Sequence, residues 1–412
     1  MTDNNQSNYR WFILGLTVAT SAFVATISIS CMPPLFKEIS EDLGLSLVQI
    51  GTVWGITNLA GIFLSLLGGI LSDRFGVKVL LSTVCLLAGI LGAARGLSNS
   101  FLILSFTVFL HGTVRLIIPI SLTKIIGLWF KGQNLGMAMG IFAMGMGLGL
   151  MLGQMFSATL LSPLLGGWRG VLYFYGAVSI VFGFFWYLFG REPHHDDSST
   201  GDSKSVPLRQ ALSKLIHIKA LWLLGFTLLF RLGSIMGMTG FLPLYLREQG
   251  WTPASADGAL ALFYGTSMLC VVPLTSLSDR LGSRKAFQVI ASIVTLICFG
   301  LLPVVDGISI WILMILSGAF MDCFMAIMVT MVLETEGVGP ADYGTAIGIL
   351  VTIAHVGSIL SPPFGNSLAS LNAGLPFFFW AALSAGALFT LAPIKDHIIK
   401  TKDSDLHSST SK

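Results

Sequence analysis

The sequence contains twelve runs of about 20 apolar residues, and a run of that length crosses the hydrocarbon core of a bilayer as one helix. Only 10% of the residues are charged, against roughly 25% in a soluble domain, so charge cannot cover a water-facing globule. The runs therefore predict an all-α polytopic membrane protein and exclude a soluble enzyme, a nucleic-acid-binding protein and a disordered chain. They lie at about 11–35, 48–71, 79–96, 101–123, 135–161, 170–189, 219–246, 256–277, 286–304, 308–333, 343–368 and 375–394.

Lysine and arginine are distributed unevenly over the loops that join these runs. Cytoplasmic loops of membrane proteins carry an excess of both residues. With both termini cytoplasmic, four of the 23 basic residues fall in outer loops, two fall inside the runs and the other seventeen face the cytoplasm. The distribution therefore predicts cytoplasmic termini. The four outer residues are Lys37, Arg95, Arg169 and Arg247.

The only long polar segment between two runs lies at 191–218 and is rich in serine and aspartate. It predicts a cytoplasmic linker between an N-terminal six-helix bundle at 1–190 and a C-terminal six-helix bundle with a cytoplasmic tail at 219–412. The weakly amphipathic part of the linker, VPLRQALSKLIHI, predicts a short helix along the cytoplasmic interface.

The same Ser-Asp-Arg-x-Gly sequence follows the second run, at 72–76, and the eighth, at 278–282. The two aspartates, Asp73 and Asp279, are 206 residues apart, half of the chain. A motif repeated at equivalent places in two six-helix halves indicates an internal duplication. In these residues the chain resembles the major facilitator superfamily, and the resemblance extends from the first run to the twelfth. It implies twelve transmembrane helices in two pseudo-symmetric halves that rock around a site near the membrane midplane.

The repeated motif also predicts a conformational clasp on the cytoplasmic side. Its aspartate can accept hydrogen bonds at a helix N-terminus, while its basic residues pair with a neighbouring helix. The alternative is a charge cluster that only fixes the orientation of the chain. The predicted clasp residues are Asp73, Arg74, Lys78, Asp279, Arg280 and Arg284.

Three charged residues lie deep inside the runs: Arg115, Arg231 and Asp322. A charge near the bilayer midplane costs at least ~2.5 kcal/mol, and such residues tend to face a cavity and carry function. The resemblance places the helices that carry them, the fourth, seventh and tenth, around the central cavity. An arginine fork suits a carboxylate, phosphate or nitrate, which predicts an anion held between Arg115 and Arg231. The alternative is a structural pair of Arg231 with Asp322, which leaves Arg115 unmatched.

Histidines and polar residues near these charges are further candidates. His111 lies one helical turn before the arginine of the fourth run and on the same face. Its predicted role is that of a proton-responsive group, with a hydrogen-bonding spacer as the alternative. His355 and Asp322 are the other candidates for proton coupling. Asn58 and Tyr264 are predicted to complete the substrate pocket, with packing or hydrogen bonding between helices as the alternative role.

The fifth run carries glycines at four-residue spacing, at positions 136, 140, 145, 149 and 153. Small residues at this spacing let helices approach closely. The run is similar to the helix 5 antiporter motif of the superfamily but lacks the proline after the glycine. Close packing is therefore the preferred interpretation.

Together these features predict a secondary active transporter of a small organic anion, a carboxylate, that works by alternating access as a proton symporter or an exchanger. The alternatives are an inorganic anion porter for nitrate, nitrite or cyanate, a proton-coupled drug efflux pump, and a receptor that has lost transport. No nucleophile–base arrangement, metal-ligand spacing or phosphate loop is found, so no enzyme, metal or cofactor is predicted. The expected partners are the anion, protons in a coupled mode and the lipid bilayer, without nucleic acid. A monomer in a prokaryotic inner membrane is expected.

Overall fold

The computed structural model describes residues 3–61, 76–130, 133–191, 208–339 and 342–394. These ranges contain twelve apolar helices in the predicted order and no β-strand. Ten are long and apolar enough to cross a membrane, and α2 and α12 are shorter. The helices are α1 Tyr9–Leu43, α2 Leu47–Ile56, α3 Val77–Leu97, α4 Phe101–Trp129, α5 Asn134–Leu165, α6 Trp168–Phe189, α7 Lys219–Glu248, α8 Pro253–Arg280, α9 Arg284–Val304, α10 Ile308–Leu333, α11 Tyr343–Leu368 and α12 Leu375–Leu391.

The helices differ from the predicted spans mainly at their ends. α1 continues eight residues beyond its predicted end, because the amphipathic segment Met32–Leu43 remains helical until Gly44 stops it with a φ of 61°. α2 begins at a capping box formed by Ser46 and Gln49. It ends at Ile56, residues 57–60 form a turn, and residues 62–71 of the predicted span 48–71 lie outside the described residues. The predicted linker helix forms at Leu208–Leu215 and contacts the start of α11, where Lys214 pairs with Asp342 at 2.5 Å.

Glycines on α5 bring this helix against α1. A Cβ on Gly149 would overlap the Thr26 hydroxyl, and a Cβ on Gly153 would overlap the Ser30 hydroxyl. At Gly145 a Cβ would lie 2.8 Å from a methyl group of Val18 on α1. The predicted close packing is therefore confirmed for these three glycines. It is wrong for the other two, at positions 136 and 140, where a Cβ would meet nothing within 4 Å.

Two helix pairs carry most of the contact between the first six helices and the last six. α5 packs on α8, where a Cβ on Gly147 would lie 2.9 Å from the Met268 side chain. α2 packs on α11, where a Cβ on Gly51 would lie 2.7 Å from the carbonyl oxygen of Pro362. Within the C-terminal helices, α7 packs on α11 and α12, and within the N-terminal helices α3 packs on α6.

Several membrane helices are irregular near the middle of their length. α1 contains a π-helical segment at Ser21–Thr26. α4 is interrupted between Arg115 and Ile117, and α10 is interrupted between Ala319 and Met321. α4 and α10 are the fourth helices of their halves, so the two interruptions occupy equivalent places. Irregular backbone of this kind frees carbonyl groups and is frequent at functional sites.

Candidate functional site

Arg115 is the last residue before the interruption of α4. Its side chain is buried, with 9% of its surface exposed. Nη1 donates a hydrogen bond of 3.1 Å to the carbonyl oxygen of Ala25, in the π-helical segment of α1. Nε has no hydrogen-bond partner. Because a guanidinium group has five N–H donors, Arg115 retains donors for a ligand.

A second buried arginine, Arg95, lies near Arg115 and was assigned to an outer loop by the sequence analysis. Arg95 lies in the turn that ends α3, and its side chain folds inward and is 1% exposed. Nη1 donates to the carbonyl oxygen of Ser28 at 2.9 Å, Nε donates to the carbonyl oxygen of Gly92 at 3.1 Å, and Nη2 has no partner. His111 lies near both arginines. Each arginine therefore binds a carbonyl group of α1, one helical turn apart.

The charges of these two arginines lack a matching carboxylate in the N-terminal sequence around them. Between Leu43 and Glu192 the only acidic residue is Asp73, which lies outside the described residues. Burying a charge without a counter-charge costs several kcal/mol even after relaxation of the protein. The carbonyl groups offset part of this cost, and an anion would offset more.

Arg231 is more completely engaged than Arg115. Its Nη1 donates to the Thr295 hydroxyl on α9, and Nη2 donates to the carbonyl oxygen of Phe320 at 3.2 Å, at the interruption of α10. The guanidinium carbon lies 4.8 Å from the centre of the Phe324 ring, which adds a cation–π contact. Only 1% of Arg231 is exposed. The structure therefore turns this side chain toward α9 and α10.

Asp322 does not form the alternative structural pair with Arg231. Its Oδ2 accepts a hydrogen bond of 2.6 Å from the Ser267 hydroxyl on α8, and its backbone N–H donates to the same hydroxyl at 3.1 Å. Tyr264, one turn earlier on α8, is buried near this carboxylate. Among the ion pairs of the described residues, none joins Arg231 to Asp322, so that alternative is wrong.

Two of the remaining candidates lie where the halves meet. The side-chain Nδ2 of Asn58 donates to the sulfur of Met236 on α7 at 3.5 Å. His355 of α11 packs against Gly61, where a Cβ would come within 2.6 Å of the ring, and it lies near Arg115. Arg115 is thus within electrostatic reach of His355 from the other half, while Arg231 and Asp322 contact helices of the C-terminal half.

A buried ion pair missed by the sequence analysis fastens the halves at one end of the bundle. Arg247 was assigned to an outer loop, yet its side chain is 6% exposed and binds Asp257, which is 0% exposed, through two contacts of 2.6 Å. Arg247 also donates to the carbonyl oxygen of Pro34 on α1 at 2.6 Å, and Thr159 on α5 donates to Asp257 at 3.1 Å. These four residues are called the latch below, and their end of the bundle the Arg247 end. The sequence signal for this pair was one basic residue, Arg247, and one acidic residue, Asp257, on either side of the α7–α8 turn.

The predicted clasp is described only in part. Asp73 and Arg74 lie outside the described residues, and Lys78 stacks on the Tyr187 ring at 5.9 Å. In the second motif Arg284 bridges Asp279, at 2.9 Å, and Glu334 at the end of α10, at 2.8 Å.

The aspartate of the second clasp does not cap a helix N-terminus, whereas the sequence predicted that it would. Asp279 binds the Arg284 side chain, while the N-terminus of α9 is capped by Ser283, which accepts from the Ala286 N–H at 3.1 Å. Arg280 is exposed.

Comparison with known proteins identifies relatives along the whole described fold. The family model of the Major Facilitator Superfamily matches residues 18–336 and 250–404. A probable sulfoacetate transporter of Cupriavidus necator is 25% identical over 403 residues, covering 90% of each chain. A probable nitrate/nitrite antiporter of Thermus thermophilus is 24% identical over 378 residues, 84% of this chain and 83% of the relative. A probable galactarate/D-glucarate transporter of Escherichia coli is 28% identical over 201 residues, which span 45% of this chain and only 41% of that relative.

Solved structures show the same fold at lower sequence identity. A bacterial homolog of the human lysosomal transporter Spinster, in an inward-facing and unoccupied conformation, superposes with a TM-score of 0.74 at 17% identity and covers 93% of this chain and 94% of its own. A nucleoside transporter superposes with a TM-score of 0.72 at 15% identity and covers 92% of this chain and 97% of its own. The predicted fold is therefore confirmed, and the chain belongs to the major facilitator superfamily, a family of membrane transporters and not of enzymes.

Proposed function

We propose that this transporter carries a small organic anion and that Arg115 binds its acidic group. The observation that carries the proposal is the buried positive charge around α1, where Arg95 and Arg115 are enclosed without a carboxylate among the described residues nearby. Arg115 offers the better ligand site of the two, because it is the more exposed and makes one hydrogen bond where Arg95 makes two.

The relatives support an anion, and two of the three described above are named for organic acids. Their named substrates are sulfoacetate, galactarate or D-glucarate, and nitrate or nitrite, all of which are negatively charged. The first three contain a carboxylate. An arginine can bind a carboxylate through two parallel N–H···O bonds, which fixes its orientation as well as its charge.

The position of Arg115 explains how an anion could drive closure. Arg115 belongs to the N-terminal half, and His355, close to it, belongs to the C-terminal half. An anion bound here reaches both halves at once, reduces the positive charge between them and permits alternating access. Arg231, whose Nη1 and Nη2 donate to α9 and α10 while its Nε has no partner, holds the interrupted part of α10 in this proposal and does not bind the anion directly.

Coupling follows one of two modes in this proposal. In proton symport the group that loads is Asp322 or one of the two histidines, His111 and His355, since these are the titratable residues next to the site and to α10. In exchange the empty, positively charged cavity resists closing until an anion binds. A proton gradient that drives anion uptake into vesicles without internal anion would establish symport.

A nitrate or nitrite porter is the second candidate function. One observation favours it: the Thermus thermophilus relative is similar over 84% of this chain. A drug efflux pump is less favoured, because among the described midplane charges only Asp322 would suit a cationic drug. For cellular context we propose a prokaryotic inner membrane, cytoplasmic termini and a monomer, on the strength of the basic loops and the compact fold.

Thermal unfolding of the purified protein with a panel of ligands tests the proposal. The panel contains monocarboxylates, dicarboxylates, sulfonated carboxylates, sugar phosphates, nitrate and lipophilic cations. A ligand at 100 times its Kd stabilises the folded state by about 2.7 kcal/mol. We expect one class of organic anion to raise the melting temperature, and we expect Arg115→Gln to abolish that increase.

Two control variants separate binding from folding. Arg169→Gln removes an exposed arginine that pairs with Asp42, and it should leave the anion response unchanged. Arg231→Gln should lower the melting temperature but keep the anion response. An Arg115→Gln protein that still responds normally to the anion would refute the proposal, and a response to lipophilic cations alone would favour the efflux pump.

A further inference from the structure

Two apolar crevices follow each other along the membrane-facing side of α1 and α6. The first, of about 450 Å³, lies between Phe12 and Ala19 of α1 and between Phe182 and Phe189 of α6. The second, of about 470 Å³, continues from Phe182 to Phe23 and beyond, where α5 joins its wall. Phe182 lines both crevices, and its ring stacks on the ring of Phe23 at 6.3 Å between them. The two crevices together are called the α1/α6 groove below.

The α1/α6 groove has the length and lining of a site for a hydrocarbon chain. Along α1 it runs from Phe12 to Ile27, about 22 Å at 1.5 Å per residue. This exceeds the half-thickness of about 15 Å that one acyl chain occupies in a bilayer. Its walls are made almost entirely of aromatic and aliphatic side chains. A polar ligand would find few hydrogen-bond partners there.

A positively charged side chain, that of Arg191, lies at one end of the groove. The Arg191 guanidinium stacks 5.0 Å from the centre of the Tyr9 ring, and the Tyr9 ring lies 5.6 Å from the ring of Phe12, which lines the groove. The Tyr9 hydroxyl donates to the carbonyl oxygen of Phe189, which lines the opposite wall. Arg191 is exposed, and no carboxylate of the described residues pairs with it. Its position at the end of α6 is the level at which lipid headgroups meet the protein.

We propose that the α1/α6 groove binds an anionic phospholipid, with an acyl chain in the groove and the phosphate on Arg191. The apolar walls select the chain, and the guanidinium selects a negatively charged headgroup by charge-assisted hydrogen bonds. The cation–π contact holds Arg191 over Tyr9 at the end of the groove. This site is independent of the anion site at Arg115.

Glycine positions on the membrane face provide a variant that fills the groove without disturbing the fold. Gly15 lines the groove, is exposed, and has nothing within 4 Å of a Cβ placed on it. Gly15→Phe therefore occupies the groove while removing an unfavourable glycine from a helix. Gly140→Phe is the matched control, because Gly140 on α5 is equally exposed and equally free of neighbours, yet lines neither crevice.

Native mass spectrometry with defined lipids provides the test. The purified full chain and its variants are titrated with phosphatidylglycerol and with phosphatidylcholine, and the melting temperature of each variant verifies its folding. We expect the unmodified chain and Gly140→Phe to bind phosphatidylglycerol about tenfold more tightly than phosphatidylcholine, a difference of about 1.4 kcal/mol. Arg191→Gln should bind the two lipids equally, and Gly15→Phe should bind both at least tenfold more weakly.

Each other outcome overturns the proposal. If Arg191→Gln keeps the preference for phosphatidylglycerol, the headgroup binds elsewhere. If Gly15→Phe binds lipid as Gly140→Phe does, the chain lies elsewhere. If the unmodified chain is a dimer that Gly15→Phe converts to a monomer, the groove is an interface between two copies of the protein. Should Gly15→Phe fail to fold, Gly15→Leu replaces it, and the Arg191→Gln comparison remains decisive because that residue is exposed.

Discussion

Replacing Thr159 with valine should favour opening of the Arg247 end. The latch there joins the halves through two hydrogen bonds, from Arg247 to the Pro34 carbonyl and from Thr159 to Asp257. Valine keeps the β-branched shape of threonine and removes only the second bond. The Arg247–Asp257 pair stays intact, because both residues belong to α7 and α8 and move together.

The magnitude follows from the geometry of the lost bond. A hydrogen bond to a charged group contributes about 1.5–3 kcal/mol net. The Thr159 bond is 3.1 Å long, at the long end for a hydroxyl donor, so the lower value applies. Since about 1.4 kcal/mol corresponds to a factor of ten, the ratio of open to closed molecules should rise about tenfold. Asp257→Asn is the wrong variant for this purpose, because a buried Arg247 without its counter-charge would destabilise the whole fold by roughly 3–5 kcal/mol.

The ratio can be measured by double electron–electron resonance in lipid nanodiscs. Spin labels at the exposed positions Leu164 on α5 and Ala254 on α8 report the distance between the halves at this end. Thr275→Val is the matched control, because its hydroxyl donates to the Val271 carbonyl at 2.7 Å within α8. A Thr159→Val distance distribution equal to that of the control would refute the role given to the latch.

Three other predictions test the packing and charge arguments. Gly149→Ala should lower stability by about 1–3 kcal/mol, since its Cβ would overlap α1. In the same unfolding experiment Gly136→Ala, with open space around it, should raise stability by up to about 1 kcal/mol, because alanine is the better helix former. Arg95→Met should raise the melting temperature, because it removes a buried charge whose cost the two carbonyl groups offset only in part, and a melting temperature below that of the unmodified chain would contradict this. Arg284→Gln should cost less than about 1 kcal/mol, because its two partners are largely exposed; a larger loss on denaturant unfolding would show a stronger clasp.

The order and approximate bounds of the helices are predictable because they depend on length and apolarity alone. Twenty apolar residues in a bilayer must satisfy their backbone groups internally, and a helix does so without reference to neighbours. The irregular segments are not predictable in this way. The π-helical segment at Ser21–Thr26 and the interruption at Leu116 lie in continuous apolar sequence, and the π-helical segment accepts a hydrogen bond from a distant side chain, Arg115.

The sequence did not predict the burial of arginine side chains at the ends of apolar runs. Arg95 lies at the end of one apolar run and Arg247 follows another, positions where an arginine commonly extends toward water. Whether such a side chain extends or folds inward depends on what lies beside it. Arg95 finds the Ser28 and Gly92 carbonyls, and Arg247 finds Asp257, partners that come from other turns or other helices.

The two midplane arginines look equivalent in the sequence, and the structure separates them. Each donates a hydrogen bond to irregular backbone, Arg115 to the π-helical segment of α1 and Arg231 to the interruption of α10. Arg231 has in addition the Thr295 hydroxyl and the Phe324 ring, and it is almost fully enclosed. Arg115 has only one such bond, greater exposure and a neighbour, His355, from the other half. An anion that must be released on either side of the membrane needs an arginine with unused donors at the boundary between the halves, and of these two only Arg115 meets that requirement.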